Sequence, residues 1–327
     1  MTENEAFERF HDELKLDPEE VSFARGFPDE VRQALSDAGV HVTHSFLQGS
    51  LARGTMVSPL KDVDMVVSLD RGEYQHLLDG PHGPDEAMDL LQEALDRGLR
   101  PTYPGIRFGE RKAHALPIEP GDGYPSFDLV PAFETTTDDD DVLIADREDG
   151  RWERSNTREL IRVVADANQS VGGKLIHVVR MVKHAVKSKL HEKFPGLAVE
   201  SFAVVAFDTP MGYAEASLRV LEQGASMLGG VILDPTGWDD LAPKIEGIGP
   251  GFAKRAKEWF ETEAADARRG RELALAGEHH QAIAWWFRVF GPPFPPPPEA
   301  LPEKEAAEVL TFGAGAPRPT RSWRCST

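Results

Sequence analysis

The rhythm of apolar and polar positions changes partway along the chain. Residues 4–16 and 17–38 carry helical spacing, and Asp17-Pro18-Glu19-Glu20 reads as a helix start, with an aspartate N-cap and a proline in the first turn. Gly26-Phe27-Pro28 interrupts the second stretch, so two helices fit there as well as one. Short apolar runs then predict strands at 40–47, 63–69, 106–108, 113–116, 126–130 and 142–144. Between the second and third of these, residues 84–98 form an amphipathic helix with Met88, Leu91 and Leu95 on one face. After about residue 156 the strand signals stop, and helices are expected at 157–168, 174–190, 199–207, 211–228, 251–275 and 278–290. Strands first and helices second predict an α+β chain with two lobes and a ligand cleft between them. The expected division is a core with N-terminal helices over 1–156, a helical lobe over 157–296 and a tail over 297–327. Proline runs after Gly291 read as an extended strap without a core of its own.

One stretch breaks the apolar pattern. In QGSLARGTMVSPLKDVDMVV, Asp62 and Asp64 alternate with valine in a strand that otherwise looks buried. Residues two apart in a strand share a face, so the two carboxylates are expected side by side, with Val63, Met65 and Val67 opposite. Like charges at that spacing raise each other's pKa unless a cation lies between them. A pair of Mg²⁺ ions suits hard oxygen ligands, with Mn²⁺ an alternative. Asp128, in SFDLVPAF, is a third acid in a short apolar strand. Three such carboxylates can hold two metals roughly 3.5–4 Å apart, the arrangement for in-line phosphoryl displacement. Just upstream, Gly49-Ser50 forms a turn whose glycine lets backbone N–H groups approach a phosphate. An Asp-x-Asp pair alone recurs by chance, and a turn end or a sheet edge would hold the same acids on the surface. The turn and the third acid together favour a phosphate grip beside a metal clamp.

The helix over 174–190 adds a counter-charge. Leu175, Val179, Val182, Val186 and Leu190 define its buried face, and Arg180, Lys183 and Lys187 form a basic stripe beside it. The stripe alone favours a solvated face paired with local acids over an anionic ligand.

Composition narrows the function classes. The 327 residues are 40% hydrophobic and carry 55 acidic against 36 basic side chains, a net charge of −19. Such a chain repels phosphate backbones, so stable DNA binding is not expected, while small nucleotides carried with metal ions remain accessible. The single cysteine, Cys325, excludes an intramolecular disulfide and a cysteine-rich zinc site. No run of about 18 apolar residues is present and MTENEAFERFHDELK lacks a signal-peptide core, so a soluble cytoplasmic protein without membrane attachment is expected. The run from Asp138 to Asp141 reads as a solvated loop, and His279-His280 as helix surface and core. Gly247-Ile248-Gly249-Pro250-Gly251 lacks the preceding strand that a dinucleotide fingerprint needs.

Gly-Ser, a spacer, Asp-x-Asp and a later strand aspartate resemble the nucleotidyltransferase superfamily related to DNA polymerase β. GSLARGT, DVDMVV and FDLVPAF together resemble the bacterial cGAS/DncV-like nucleotidyltransferases, or CD-NTases, and the likeness runs over most of residues 35–295. LIHVVRMVK is similar to that family's helix ending in a phosphate-binding lysine, AVESF to its following serine-bearing helix, and WWFRVFGPPFP to its closing segment. The resemblance implies a polymerase β-like core, a mixed sheet with flanking helices, with the active site in the cleft against a C-terminal helical lobe. It implies that Asp62, Asp64 and Asp128 are catalytic metal ligands, that Gly49, Ser50 and Lys183 bind the nucleotide's phosphates, and that Ser201 assists as a hydroxyl donor. The implied substrates are nucleoside triphosphates, ATP, GTP or both, with pyrimidine triphosphates also open. The implied product is a cyclic di- or trinucleotide used in anti-phage (CBASS) signalling, alongside defence-system partner proteins. Two alternatives stay open: a nucleotidyltransferase acting on RNA ends or on proteins, and a nucleotide-binding module that no longer catalyses.

Overall fold

Both N-terminal helices start where their caps dictate. In α1 (Glu3–Glu13), Thr2 and Glu5 exchange side-chain and backbone bonds as a capping box. In α2 (Pro18–Asp37), the Asp17 carboxylate accepts from the N–H groups of Glu19 and Glu20. α2 is one helix running through Pro28, and the allowance for two helices is not needed. Pro28 is buried with Ala24, Phe27 and Val31, so packing of that face outweighs the missing hydrogen bond. The structure, a computed structural model, describes residues 1–135 and 141–297, so most of the predicted tail, Asp138 to Asp140 and Cys325 fall outside them.

Seven strands form one mixed sheet: β1 (Val42–Leu47), β2 (Val63–Leu69), β3 (Arg107–Phe108), β4 (Leu116–Glu119), β5 (Phe127–Glu134), β6 (Val142–Asp146) and β7 (Arg151–Ser155). β2 lies between β1, to which it is antiparallel, and the central β5, to which it is parallel; β5 pairs along its other edge with β4 and then β6, and β7 closes on β6. The strand predicted at 113–116 begins at Leu116 instead, because residues 109–115 form a loop whose Arg111 is drawn to Asp89 and Gln92. β7 carries little apolar signal, since RWERS pairs only with β6 at the sheet edge. The short helices α3 (Gly49–Ala52) and α4 (Gln75–Asp79) follow β1 and β2, and α5 (Gly83–Leu99) packs beside α2 over one sheet face. Val63, Met65, Val67, Phe127 and Leu129 point into that core. The intervening residues face the other way, where Val66, Val130 and Ala132 form a smaller apolar cluster.

The second half is helical as expected: α6 (Thr157–Ser170), α7 (Leu175–Ala185), α8 (Gly196–Ala206), α9 (Tyr213–Met227), α10 (Ala242–Glu246), α11 (Phe252–Leu275) and α12 (His279–Phe290). The helix predicted over 174–190 widens into a π-helical turn at Val186–Leu190. The expected domain division needs one correction. α1 packs into the helical lobe, with Phe7 edge-on to Trp286 at 4.8 Å and Phe10 against Phe290 at 4.9 Å. The chain is thus α+β, and no helix among the described residues is long and apolar enough to cross a membrane.

A buried acid in this lobe gives a pH-dependent stability. Burial pushes the Glu263 carboxyl up to about 7, against the pull of Lys189, whose Nζ lies 2.6 Å away. Between the ordinary carboxylate pKa and about 7, the folded protein holds a proton that the unfolded chain has released. Stability therefore falls as pH rises through that window, by about 3 kcal/mol for this group. Urea unfolding at pH 5 and pH 8 should show the fall, and Glu263→Gln should flatten it. An unchanged slope in the variant would refute the assignment to Glu263.

Candidate active site

Strand register brings two of the three predicted acids together. In the parallel β2–β5 pair Asp64 stands opposite Asp128, and both side chains leave the sheet on the face away from α2 and α5. Burial, then the Asp128 charge, push the Asp64 carboxyl up to about 6. Asp128 is 7% exposed, and its Oδ1 is buried without a hydrogen-bond partner.

Asp62 does not sit beside Asp64 in the strand, as alternation predicts. Its φ is 49°, in the left-handed region, and β2 begins one residue later. The Asp62 N–H is taken by Ser126 Oγ at 3.0 Å, so the residue stops short of the strand ladder. Its exposed carboxylate reaches the others through Lys112, whose Nζ is 2.5 Å from Asp128 Oδ2 and 3.8 Å from Asp62 Oδ1. Among the described residues no three acidic, histidine or cysteine side chains already stand as a preformed metal cluster. The donor chemistry nonetheless fits hard divalent cations: Asp64 and Asp128 stand side by side with Asp62 nearby, Asp128 holds an unpartnered buried oxygen, and Asp64 is raised by burial and then by its neighbour's charge.

The Gly-Ser turn lies against this group. Gln48 N–H donates to the Asp64 carbonyl at 2.9 Å, tying the turn to β2. Gly49 has φ +69°, and a Cβ there would come within 1.8 Å of Asp64 Oδ2, so only glycine permits this approach. The Ser50 hydroxyl has only the Met56 sulfur, at 3.6 Å. Helix α3 starts here, and first-turn N–H groups lack intrahelical acceptors. A cavity of about 290 Å³ opens between this turn and the helical lobe; Gly49, Ser50, Arg53 and Asp64 line one side, and Lys183, Lys187, Lys193 and Glu200 the other.

Lys183 reaches the cavity, but not as part of an exposed basic stripe. It is buried, and its Nζ donates to Glu200 Oε1 at 2.6 Å and Thr55 Oγ1 at 3.0 Å. Glu200 also accepts from Arg53 Nε at 2.6 Å and Thr55 Oγ1 at 2.7 Å. Burial lowers the Lys183 ammonium to about 8, while Lys183 and Arg53 outweigh burial and hold Glu200 down at about 2. The group is two cations against one anion, linking α3 to α7 and α8 across the cleft. The exposed cations on the cavity wall are Lys187, on the π-helical turn, and Lys193.

Ser201 is not brought to the site. Its Oγ donates to the Leu197 carbonyl at 3.1 Å within α8, and it does not line the cavity. Its neighbour Glu200 does, and the sequence carried a signal for it: one glutamate in the apolar run LAVESFAVV. Arg53 lay unread inside the turn motif. Lys112, in a loop, had no periodic signal.

A family model described as Second Messenger Oligonucleotide or Dinucleotide Synthetase domain matches residues 1–168. No curated protein matches the sequence. Several solved structures share the fold. CdnC of E. coli MS115-1, in its complex with HORMA-deltaN, aligns at TM-score 0.68 and 16% identity over 89% of this chain and 98% of its own. The Bradyrhizobium diazoefficiens CD-NTase CdnG, in complex with GTP, aligns at TM-score 0.68 and 14% identity over 94% and 97%. Vibrio cholerae DncV in its GTP-bound form aligns at TM-score 0.60 and 17% identity over 82% and 72%.

Proposed function

This chain belongs to the Second Messenger Oligonucleotide or Dinucleotide Synthetase family, and on that premise we propose how its own residues join nucleoside triphosphates into a cyclic signal. The observation that carries the reading is the register of Asp64 on Asp128, beside a glycine turn that faces a basic-walled cavity. The triphosphate of one nucleotide lies in that cavity. The Ser50 hydroxyl and the turn N–H groups donate to its oxygens, and Lys187 and Lys193 offset its charge. Lys183 contributes from within the Arg53–Glu200 group, whose net positive charge faces the same space.

Asp62, Asp64 and Asp128 would hold two Mg²⁺ ions, or Mn²⁺, which when bound lower the pKa of an attacking ribose hydroxyl and neutralise charge at the α-phosphate. The hydroxyl of a second nucleotide attacks the α-phosphorus, the bond to the β-phosphate oxygen breaks, pyrophosphate leaves, and the hydroxyl proton goes to solvent. The linear product then turns over, its free ribose hydroxyl attacks the α-phosphorus of its remaining triphosphate, and a second pyrophosphate leaves as the ring closes, with the proton again going to solvent.

Relatives of the same fold support purine substrates: CdnC is known with ATP, and DncV is a cyclic AMP-GMP synthase. CdnC also stands in a complex with HORMA-deltaN, which supports a protein partner for this chain; the anti-phage role and the cytoplasmic location are part of the same proposal. The net charge of −19 argues against DNA as an activator. Incubation with all four NTPs and Mg²⁺ or Mn²⁺ should release pyrophosphate and yield cyclic products by mass spectrometry. Binding of NTPs without pyrophosphate release under either metal would leave a silent binding module. Extension of added RNA in place of cyclic products would indicate an RNA-end transferase.

A further inference from the structure

The β3–β4 loop delivers a lysine into the middle of the carboxylate group. Lys112 Nζ lies 2.5 Å from Asp128 Oδ2 and 3.8 Å from Asp62 Oδ1, and the Asp64 charge also acts on it. We propose that Lys112 is a built-in counter-ion of the carboxylate triad, which a divalent cation must displace to enter. The inference rests on the two-metal reading above and adds a control on metal entry that the reading does not contain.

Two features make the residue suited to the role. Its backbone is fixed: the Lys112 N–H donates to the Ala115 carbonyl at 2.9 Å, and next to it Arg111 is held on α5 by Asp89 and Gln92. Its side chain is half exposed, so the ammonium can leave by rotating its own torsions without moving the sheet. The Asp128 carboxylate it holds is 7% exposed and keeps one oxygen unpartnered, an acceptor position the lysine does not fill.

An ammonium on Asp128 Oδ2 and a divalent cation on the same carboxylate repel each other at contact distance, so the metal binds more weakly while the ammonium stays. Metal uptake by the nucleotide-free protein therefore works against an existing ion pair. A metal arriving with a triphosphate brings anionic oxygens of its own, which offset the loss. Lys112 thus couples metal entry to nucleotide entry, and keeps the triad from repelling itself when no metal is present.

The test is Mn²⁺ binding by the full chain without nucleotide, read from the electron paramagnetic resonance signal of the free ion. Lys112→Gln should bind Mn²⁺ at least about tenfold more tightly than the wild type. Lys112→Arg should bind like the wild type, and Lys112→Gln/Asp128→Asn should lose the gain. A second readout guards against a poorly folded variant: Mn²⁺ should raise the melting temperature of Lys112→Gln, or of Lys112→Met, more than that of the wild type. Equal or weaker Mn²⁺ binding by Lys112→Gln, with equal or smaller thermal shifts, overturns the role of Lys112. Absence of Mn²⁺ uptake by wild type and variant alike, even with a non-hydrolysable NTP present, overturns the two-metal reading itself.

Discussion

Asp64→Asn should abolish nucleotide joining while leaving a protein that is harder to unfold. Asp64 faces Asp128 in register and lies under Gly49, so its carboxylate is the one shared by the proposed metal group and the proposed phosphate turn. Removing a metal ligand forfeits several kcal/mol of charge stabilisation in the transition state, so the rate of pyrophosphate release should drop by about 10³-fold or more. Stability moves the other way. The Asp64 pKa is raised to about 6, first by burial and then by Asp128, so at neutral pH its ionised form is a cost to the metal-free fold. Asparagine has nearly the same shape and no charge, and should recover about 1–2 kcal/mol in urea unfolding at pH 7.5 without metal. The gain should vanish at pH 4, where the wild-type carboxyl is protonated in the fold. An active variant, or an inactive one that is less stable than the wild type, contradicts the role given to this residue. Opposite signs for activity and stability are what a strained functional group produces.

The second large effect is expected at Glu200, for the reverse reason. Its carboxylate is fully buried and accepts from Arg53, Thr55 and Lys183. Truncation to alanine leaves two buried cations without their anion, which costs about 3–5 kcal/mol. Denaturant unfolding should register most of that loss, and Glu200→Gln should lose less because it keeps an acceptor. Adding Lys183→Met to Glu200→Ala should recover part of the loss, since one orphaned charge goes with it. A loss under about 1 kcal/mol in Glu200→Ala would mean that the three groups do not form one buried unit. The pair across the cleft also predicts a kinetic signature: Glu200→Gln frees the Lys183 ammonium toward the cavity and should lower KM for NTP more than it changes kcat.

How much was readable in advance depended on the range of the interaction concerned. α1 and α2 carry their caps, and α5 its periodicity, in neighbouring residues, and each begins close to where that signal lies. The strand with Asp64 and the strand with Asp128 were legible because a carboxylate in an apolar run calls for a partner, wherever that partner is. Asp62 departs from the alternation because that rule holds only inside a paired strand, and donation of the Asp62 N–H to Ser126 Oγ stops the ladder one residue short. Ser201 stays off the cavity wall, its hydroxyl bonded within its own helix, a contact that the motif does not display.

Local order is written in spacing: strands before helices, a glycine at a tight turn, acids among valines, a lysine after an apolar helix. These follow from backbone geometry and burial within a few residues, so the chain specifies them without reference to the rest of the fold. The parallel register of β2 on β5 joins residues 64 apart, and the Lys183–Glu200–Arg53 group joins α7 and α8 to a turn more than a hundred residues earlier. Whether Lys183 is a free phosphate ligand or half of a buried ion pair therefore depends on what the folded lobes press against it. The same is true of Lys112, whose loop carries no pattern at all until the fold sets Asp128, and Asp62 at the strand's start, in front of it. Coulombic partners in low dielectric are chosen by proximity in space, and proximity in space is what periodicity along the chain does not encode.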